Sequence, residues 1–385
     1  MSIVPASEDD GPMSSPLRVG LIGAGYIARV HVHAAAGLGS DLSICAISDT
    51  QISAARDLVE LQGHGKAYED VATMLEEERL DGVIIATWPS NHLELIQQCV
   101  EAGVRYVLCE KPFVLTGDQA MQVWSLADRA GAHVTEGFMY RHHPVFDRVD
   151  RILGERQLGV IDHVRASFTY VNRIVEDYRP DDARRPWRLQ AELGGGALYD
   201  IGAYAVNACR YVANAAPTQV AAFGRQRNAH GTSDRVHALV EYANGAVGIV
   251  QASETAETSQ ELAIYGQQAN LHVPQAWTVY DESELVLSRS IDAVHTEPDR
   301  HFRTLTDRLA VPRSNAFVDQ LRQAAAVMRG AEQPRVALAE TVVNTFTIEA
   351  MTTALFHQET VAVTVPPDVL RSLESTAVAI HSLTG

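Results

Sequence analysis

Gly23-Ala24-Gly25-Tyr26-Ile27-Ala28 constrains this chain more than any other stretch in it. The GxGxxA spacing directly follows a short apolar run, Leu17 to Ile22, and opens a segment of helix length. Gly23 permits a tight turn, Gly25 leaves the backbone open to a pyrophosphate, and Ala28 lets the helix pack closely on its strand. The free N–H groups and partial positive charge of the helix N-terminus then favour an anion. A plain strand–helix turn satisfies the same pattern, so context decides. Here the turn ends the chain's first apolar run, which is where a dinucleotide-binding unit carries it.

The following residues continue that alternation. Apolar runs recur at Leu42 to Ile47, Gly82 to Ala86, Tyr106 to Cys109 and Ala132 to Thr135, with helical periodicity between them at Ile52 to Gln62 and His92 to Ala102. Short apolar strands separated by helices predict a parallel sheet covered on both faces, a doubly wound α/β unit over residues 17–140. From about residue 145 the pattern changes to grouped strands, at Asp162 to Val171, Gln219 to Gly224, Arg235 to Tyr242 and Ala246 to Ser253. Asn244-Gly245 is a hairpin signal between the last two. Two helices interrupt, one opening near Gly196 and one at Asn315 to Met328, so residues 141–385 read as an α+β unit on an antiparallel sheet. Pro367 to Leu383 reads as a last helix.

Composition narrows the function. The 385 residues suggest two units rather than one core, and 48 acidic against 31 basic side chains give a formal charge of −17. Such a chain repels polyphosphate at long range, which argues against coating nucleic acid. No apolar run reaches the roughly 18 residues of a membrane helix. Residues 1–16 are small, polar and acidic and read as a disordered tail rather than a secretory signal, so the cytoplasm is the expected location. Cys45, Cys99, Cys109 and Cys209 lack CxxC spacing and read as buried apolar residues. His31 and His33 are two residues apart, about 200° around a helix, so no metal site is proposed there or elsewhere.

Three further positions bear chemistry. Asp49 ends the second apolar run, where a carboxylate accepts hydrogen bonds from an adenosine ribose and repels a 2′-phosphate, favouring NAD over NADP. The same residue can simply cap the helix that begins near Ile52. Lys111, in Glu110-Lys111-Pro112, follows a predicted strand at the edge where open α/β sheets bind ligands. Gly194-Gly195-Gly196 precedes a helix on which Asp200, Tyr204, Asn207 and Tyr211 form a polar stripe, beside a small apolar stripe of Ala197, Ile201, Ala205 and Ala208. A phenol can carry a proton if a nearby ammonium, such as that of Lys111, helps to ionise it.

Together with Gly137-Phe138-Met139-Tyr140-Arg141-His142-His143-Pro144, these motifs resemble the Gfo/Idh/MocA family of nicotinamide-dependent oxidoreductases, from about Leu17 to His357. The resemblance implies a Rossmann domain followed by a domain with a large open, mostly antiparallel sheet, whose outer face commonly mediates homodimers or homotetramers. It implies cofactor contacts from Gly23, Gly25, Tyr26, Ile27, Ala28, Asp49, Thr87, Asn91, His92, Glu110 and Lys111. Lys111 resembles the family's catalytic-site lysine and Asp200 its helix aspartate. Tyr204 stands where histidine is usual, as in the branch containing D-xylose dehydrogenases, glucose-fructose oxidoreductase, dihydrodiol dehydrogenases and sugar ketoreductases. Arg141, Trp187, Arg188, Asp200 and Tyr204 are the implied substrate contacts. The run Arg184-Arg185-Pro186-Trp187-Arg188 can receive a phosphate or nucleotide-sugar diphosphate, or be a solvated loop or subunit contact.

The expected activity is hydride transfer between NAD, or NADP, and a sugar, sugar derivative or cyclic polyol. Tyr204 serves as acid/base, Lys111 assists it and Asp200 positions the substrate. Two alternatives remain: an NAD-dependent glycoside hydrolase and a non-catalytic dinucleotide-binding regulator.

Overall fold

The computed structural model describes residues 15–173, 186–227, 232–279, 282–291 and 303–382. Its first sheet contains β1 (Leu17–Ile22), β2 (Leu42–Ser48), β3 (Lys66–Tyr68), β4 (Gly82–Ile85), β5 (Tyr106–Cys109) and β6 (His133–Glu136). All are parallel, in the order β3-β2-β1-β4-β5-β6. Strands β4 and β5 are buried at every residue, so both faces need cover. Helices α1 (Tyr26–Ala36), α2 (Ile52–Gln62), α3 (Val71–Glu77), α4 (Pro89–Glu101) and α5 (Gly117–Ala130) connect them. Strand order reverses between β1 and β4, and such a switch opens a crevice at the carboxyl edge. The glycine turn, Thr87 and Glu110-Lys111 all leave that edge.

After α6 (Pro144–Gly154), the second sheet contains β7 (Ile161–Thr169), β8 (Pro217–Arg227), β9 (Thr232–Tyr242), β10 (Val247–Ser253), β11 (Leu262–Gly266), β12 (Asn270–Val273), β13 (Ser283–Ile291), β14 (Arg303–Val311) and β15 (Val361–Ala362). Their order is β14-β13-β12-β11-β7-β10-β9-β8-β15, antiparallel throughout except between β7 and β10. The fold is therefore a Rossmann unit plus a large open, mostly antiparallel sheet. Asn244-Gly245 makes the β9–β10 hairpin, with Gly245 at φ +85°. Along β9, Val236, Ala238, Val240 and Tyr242 point inward, while Arg235, His237, Leu239 and Glu241 face out. Helix α7 (Ala203–Ala213) covers the inner face, and its Cys209 sits so close to Gly248 that an added Cβ would lie 3.1 Å from it.

Two later helices tie the sheets together. Asn315 caps α8 (Ala316–Met328) by accepting from the Phe317 and Val318 N–H groups. That helix lies against the first sheet: Phe317 meets His31 edge-on, and Met328 Sδ lies 2.7 Å from where a Gly82 Cβ would stand. The first layered unit thus recruits residues far beyond 140. Helix α9 (Leu338–His357) is wedged between both units. Its Glu349 accepts from the Gly117 N–H, and its Leu355 packs on Gly224 of β8. Because α9 is buried nearly all round, it has no apolar stripe for a sequence reading to find. The chain ends with α10 (Pro367–Ser382). Residues 1–14 of the expected tail, and Arg184 and Arg185, lie outside the described residues.

Candidate active site

The glycine turn fits a dinucleotide. Gly23 has φ +95°, and a Cβ there would lie 2.6 Å from the Ala86 carbonyl oxygen, so the turn packs directly on the end of β4. A Cβ on Gly25 would meet nothing within 4 Å, which leaves room for a pyrophosphate at the start of α1. Ala28 is fully buried, Ile27 half-buried and Tyr26 exposed at the mouth. Asp49 is half-buried and serves two neighbours: Oδ2 accepts from the Ala24 N–H at 2.7 Å and Oδ1 from the Gln51 N–H at 2.8 Å. It therefore braces the turn and also the entry to α2.

Two of the implied cofactor contacts are structural ties within the protein. His92 is fully buried, with Nδ1 2.8 Å from the Phe113 carbonyl oxygen and Nε2 3.3 Å from that of Thr87. Burial pushes its pKa down, and a neutral ring has a single N–H, so it donates to one of these two carbonyls and packs against the other. Glu110 is also buried. Its Oε1 lies 2.8 Å from His31 Nε2 on α1, and its Oε2 accepts from the Lys111 N–H. Thr87 is half-buried and Asn91 exposed beside them.

Lys111 and the glycine helix meet across the two units. Lys111 Nζ donates to the Asp200 backbone carbonyl at 2.5 Å and to Asp200 Oδ1 at 3.0 Å. Arg188 Nε donates to Asp200 Oδ2 at 2.6 Å, and its guanidinium lies 4.6 Å from the Trp187 ring centre. Burial would push the Asp200 carboxyl up, but the two cations outweigh it and hold the pKa at about 2. The clasp therefore carries two positive charges and one negative.

The three glycines make this approach feasible. A Cβ on Gly194 would lie 2.9 Å from Pro89 and Leu115 of the first unit, and one on Gly195 would lie 2.6 Å from the Trp187 and Arg188 carbonyl oxygens. Gly196, at φ +101°, runs against the backbone of Ser233 in β9. Asp200 sits in a π-helical turn, Leu198–Gly202, that leads into α7. Turns of this kind cluster at functional sites.

Tyr204 is the next residue on the clasp's helix face. Its ring centre is 5.1 Å from Lys111 Nζ, and its hydroxyl donates to Met139 Sδ at 3.6 Å. Phe138, Tyr140, Phe168 and Trp277 surround the ring, with centroids 5.3 to 6.1 Å away. Sequence reasoning missed Tyr170, whose hydroxyl reaches Asp200 Oδ2 at 3.5 Å and accepts from Asn172. Nothing local marks it, because it lies just past the end of β7.

Arg141 stands apart from this group, against the expectation of a substrate contact. It is 1% exposed, donates to Glu340 Oε1 at 2.6 Å and stacks 3.5 Å above the Tyr211 ring. Asn207 also donates to Glu340, so the lower half of the expected polar stripe on α7 turns inward rather than toward the clasp. The cause is a second buried cluster, in which Arg210 pairs with Glu340 Oε2 at 2.7 Å. Among the described residues, no three His, Cys, Asp or Glu side chains gather as a metal cluster would require, and no helix is long and apolar enough to cross a membrane.

A Rossmann crevice facing a lysine–aspartate clasp on an open-sheet unit defines the class of nicotinamide-dependent two-unit oxidoreductases. Comparison with known proteins makes the assignment specific. The model of the oxidoreductase family with an NAD-binding Rossmann fold (GFO_IDH_MocA) matches residues 17–138, and that of the GFO/IDH/MocA C-terminal domain matches residues 146–272. The rhizopine catabolism protein MocA of Rhizobium meliloti is 31% identical over 60% of this chain and 70% of its own length. D-xylose 1-dehydrogenase (NADP(+)) 2 of Haloferax volcanii is 25% identical over 81% and 89%. A 3-ketoreductase from Actinomadura kijaniata, solved with NADP and TDP-benzene, shares the fold at TM-score 0.74 and 24% identity, over 89% of this chain and 98% of its own. The chain belongs to the Gfo/Idh/MocA family of NAD(P)-dependent oxidoreductases.

Proposed function

We propose that this protein interconverts a hydroxyl and a carbonyl on a sugar, sugar derivative or cyclic polyol, with Tyr204 as the proton carrier. The observation that supports this reading most is the clasp, which holds the Lys111 ammonium both on Asp200 and 5.1 Å from the Tyr204 ring centre. Gly23, Gly25 and Ala28 would hold the dinucleotide, and Asp49 would face its adenosine ribose. The bound nicotinamide accepts or supplies the hydride.

The chain's own residues handle the proton. In oxidation, the substrate hydroxyl gives its proton to the Tyr204 oxygen as the C–H bond breaks; in reduction, Tyr204 returns it to the carbonyl oxygen. A phenolate there is steadied by the positive charge of Lys111. Asp200 keeps Lys111 and Arg188 in place, and their remaining N–H groups orient the substrate's hydroxyls. Trp187 offers an apolar wall beside them. The names of relatives, among them D-xylose and D-apiose dehydrogenases, support a sugar-like substrate.

Asp49 favours NAD, because its carboxylate repels a 2′-phosphate. The outer face of the second sheet exposes Phe223 (72%) and Leu239 (51%), which supports pairing with a second copy in a homodimer or homotetramer. Leu239→Glu should then lower the mass measured by light scattering.

The test of the reaction is absorbance at 340 nm, with NADH and NADPH screened against aldoses and ketosugars. Oxidation of one cofactor by one substrate class is the expected result. A free sugar released from a glycoside with no net change at 340 nm would instead identify the hydrolase. Tight cofactor binding without turnover on any substrate would identify the regulator.

A further inference from the structure

We infer that Met139 is a positioning residue for the proton carrier: its thioether aims the Tyr204 hydroxyl without keeping the proton. The inference rests on the reading of Tyr204 given above. Met139 belongs to the stretch Gly137 to Pro144, to which the proposed reaction assigns no part.

Met139 opens a 3₁₀ turn, Met139–His142, just beyond β6, and is buried. Its Sδ accepts from the Tyr204 hydroxyl at 3.6 Å, while its neighbours Phe138 and Tyr140 each set a ring 5.8 Å from the Tyr204 ring centre. Three successive residues thus hold the phenol, two by its ring and one by its oxygen. The turn itself is pinned. The Tyr140 hydroxyl donates to Asn207 of α7, and Arg141 bonds Glu340 of α9 at 2.6 Å. The buried Glu340 cluster therefore fixes the backbone from which the thioether reaches Tyr204.

Chemistry accounts for sulfur at this position. A proton carrier passes its proton on in each turnover, so a strong acceptor at the hydroxyl competes with the substrate oxygen. A thioether is a weak acceptor on an apolar side chain, so it can be buried at little cost. It directs the O–H bond and yields it to a stronger acceptor. The ionisable groups around the phenol are Lys111, 5.1 Å from the ring centre, Asp200, four residues back on the chain, and Tyr140, which burial keeps protonated. Lys111 favours the phenolate, and Met139 favours the phenol.

The test has two readouts. Met139→Leu conserves volume and removes the acceptor, whereas Met139→Gln supplies a strong one. Near-ultraviolet difference titration of each variant against its Tyr204→Phe counterpart isolates the Tyr204 phenolate and needs no substrate. An acceptor favours the protonated form, so the midpoint should fall in Met139→Leu and rise in Met139→Gln, each by about half a pH unit. Turnover should fall about fivefold in Met139→Leu with KM unchanged, and the same substitution should add nothing in Tyr204→Phe enzyme. Equal losses in both backgrounds, or midpoints that do not move, would make Met139 a packing residue and overturn the inference. Unchanged turnover in Met139→Leu overturns it as well. Full turnover in Tyr204→Phe alone would overturn the reading of Tyr204 and the role of Met139 with it, a result that needs no Met139 variant and so stands apart from the others.

Discussion

Asp200 and Glu340 are each a buried carboxylate held between two cations, yet they stand in opposite relations to water. Lys111 and Arg188 around Asp200 keep 15% and 29% of their side chains exposed, whereas Arg141 and Arg210 around Glu340 keep 1% and 5%. Both carboxyls are held below their ordinary range by their cations against the opposing effect of burial. Identical charge arithmetic therefore yields a clasp that can still meet a substrate and an internal cluster that cannot. On the proposed function, solvent access is what separates the reactive group from the structural one.

The sharpest break in that comparison comes from Glu340→Gln. Two guanidinium groups would remain buried without an anion, and stability should fall on the order of 3 to 5 kcal/mol, read from the urea midpoint. Asp200→Asn should be milder, about 2 kcal/mol, because Lys111 and Arg188 can turn toward water. Equal midpoints for the two variants would mean that access does not distinguish the clusters.

Acid sharpens the contrast. The folded Asp200 pKa of about 2 lies below the ordinary 3.8, so the unfolded chain binds the proton more readily. Its stabilisation is complete above about pH 4 and is lost as pH falls toward 2. Asp200→Asn should flatten the loss of stability across that interval, and an unchanged slope would remove Asp200 from the acid response. The smallest effect belongs to Asp49→Ser, which should shift the ratio of kcat/KM for NAD over NADP by about tenfold toward NADP. An unchanged ratio would mean that Asp49 only braces the turn.

What could be read in advance follows from the range of the interactions. Gly23, Gly25 and Ala28 act within one turn, and α2 falls on Ile52–Gln62 because its stripe and its αL cap at Gly63 are local. Lys111 and Asp200 could each be singled out by motif, but their pairing spans 89 residues and their bond to each other is a tertiary fact. Arg188 reaches Asp200 across two short 3₁₀ turns and the glycines, where no periodicity predicts direction. The bond of Arg141 to Glu340 is not legible in the sequence, because that partner lies 199 residues downstream on α9, a helix without a stripe. His92, in the first turn of α4, and Glu110, just after β5, both face into the protein, which spacing cannot reveal. Strands β13 and β14 were not foreseen either; they carry polar residues such as Arg289, Thr306 and Arg308 and form one edge of the sheet.

The central claim is that the Lys111–Asp200 clasp serves Tyr204 as the proton carrier. Its most direct test is the turnover of Tyr204→Phe on the substrate class found at 340 nm, with cofactor affinity measured in parallel. A fall in kcat of about 10²-fold or more with cofactor affinity and melting temperature unchanged is the predicted result. Turnover equal to that of the native enzyme would contradict it and remove Tyr204 from the reaction.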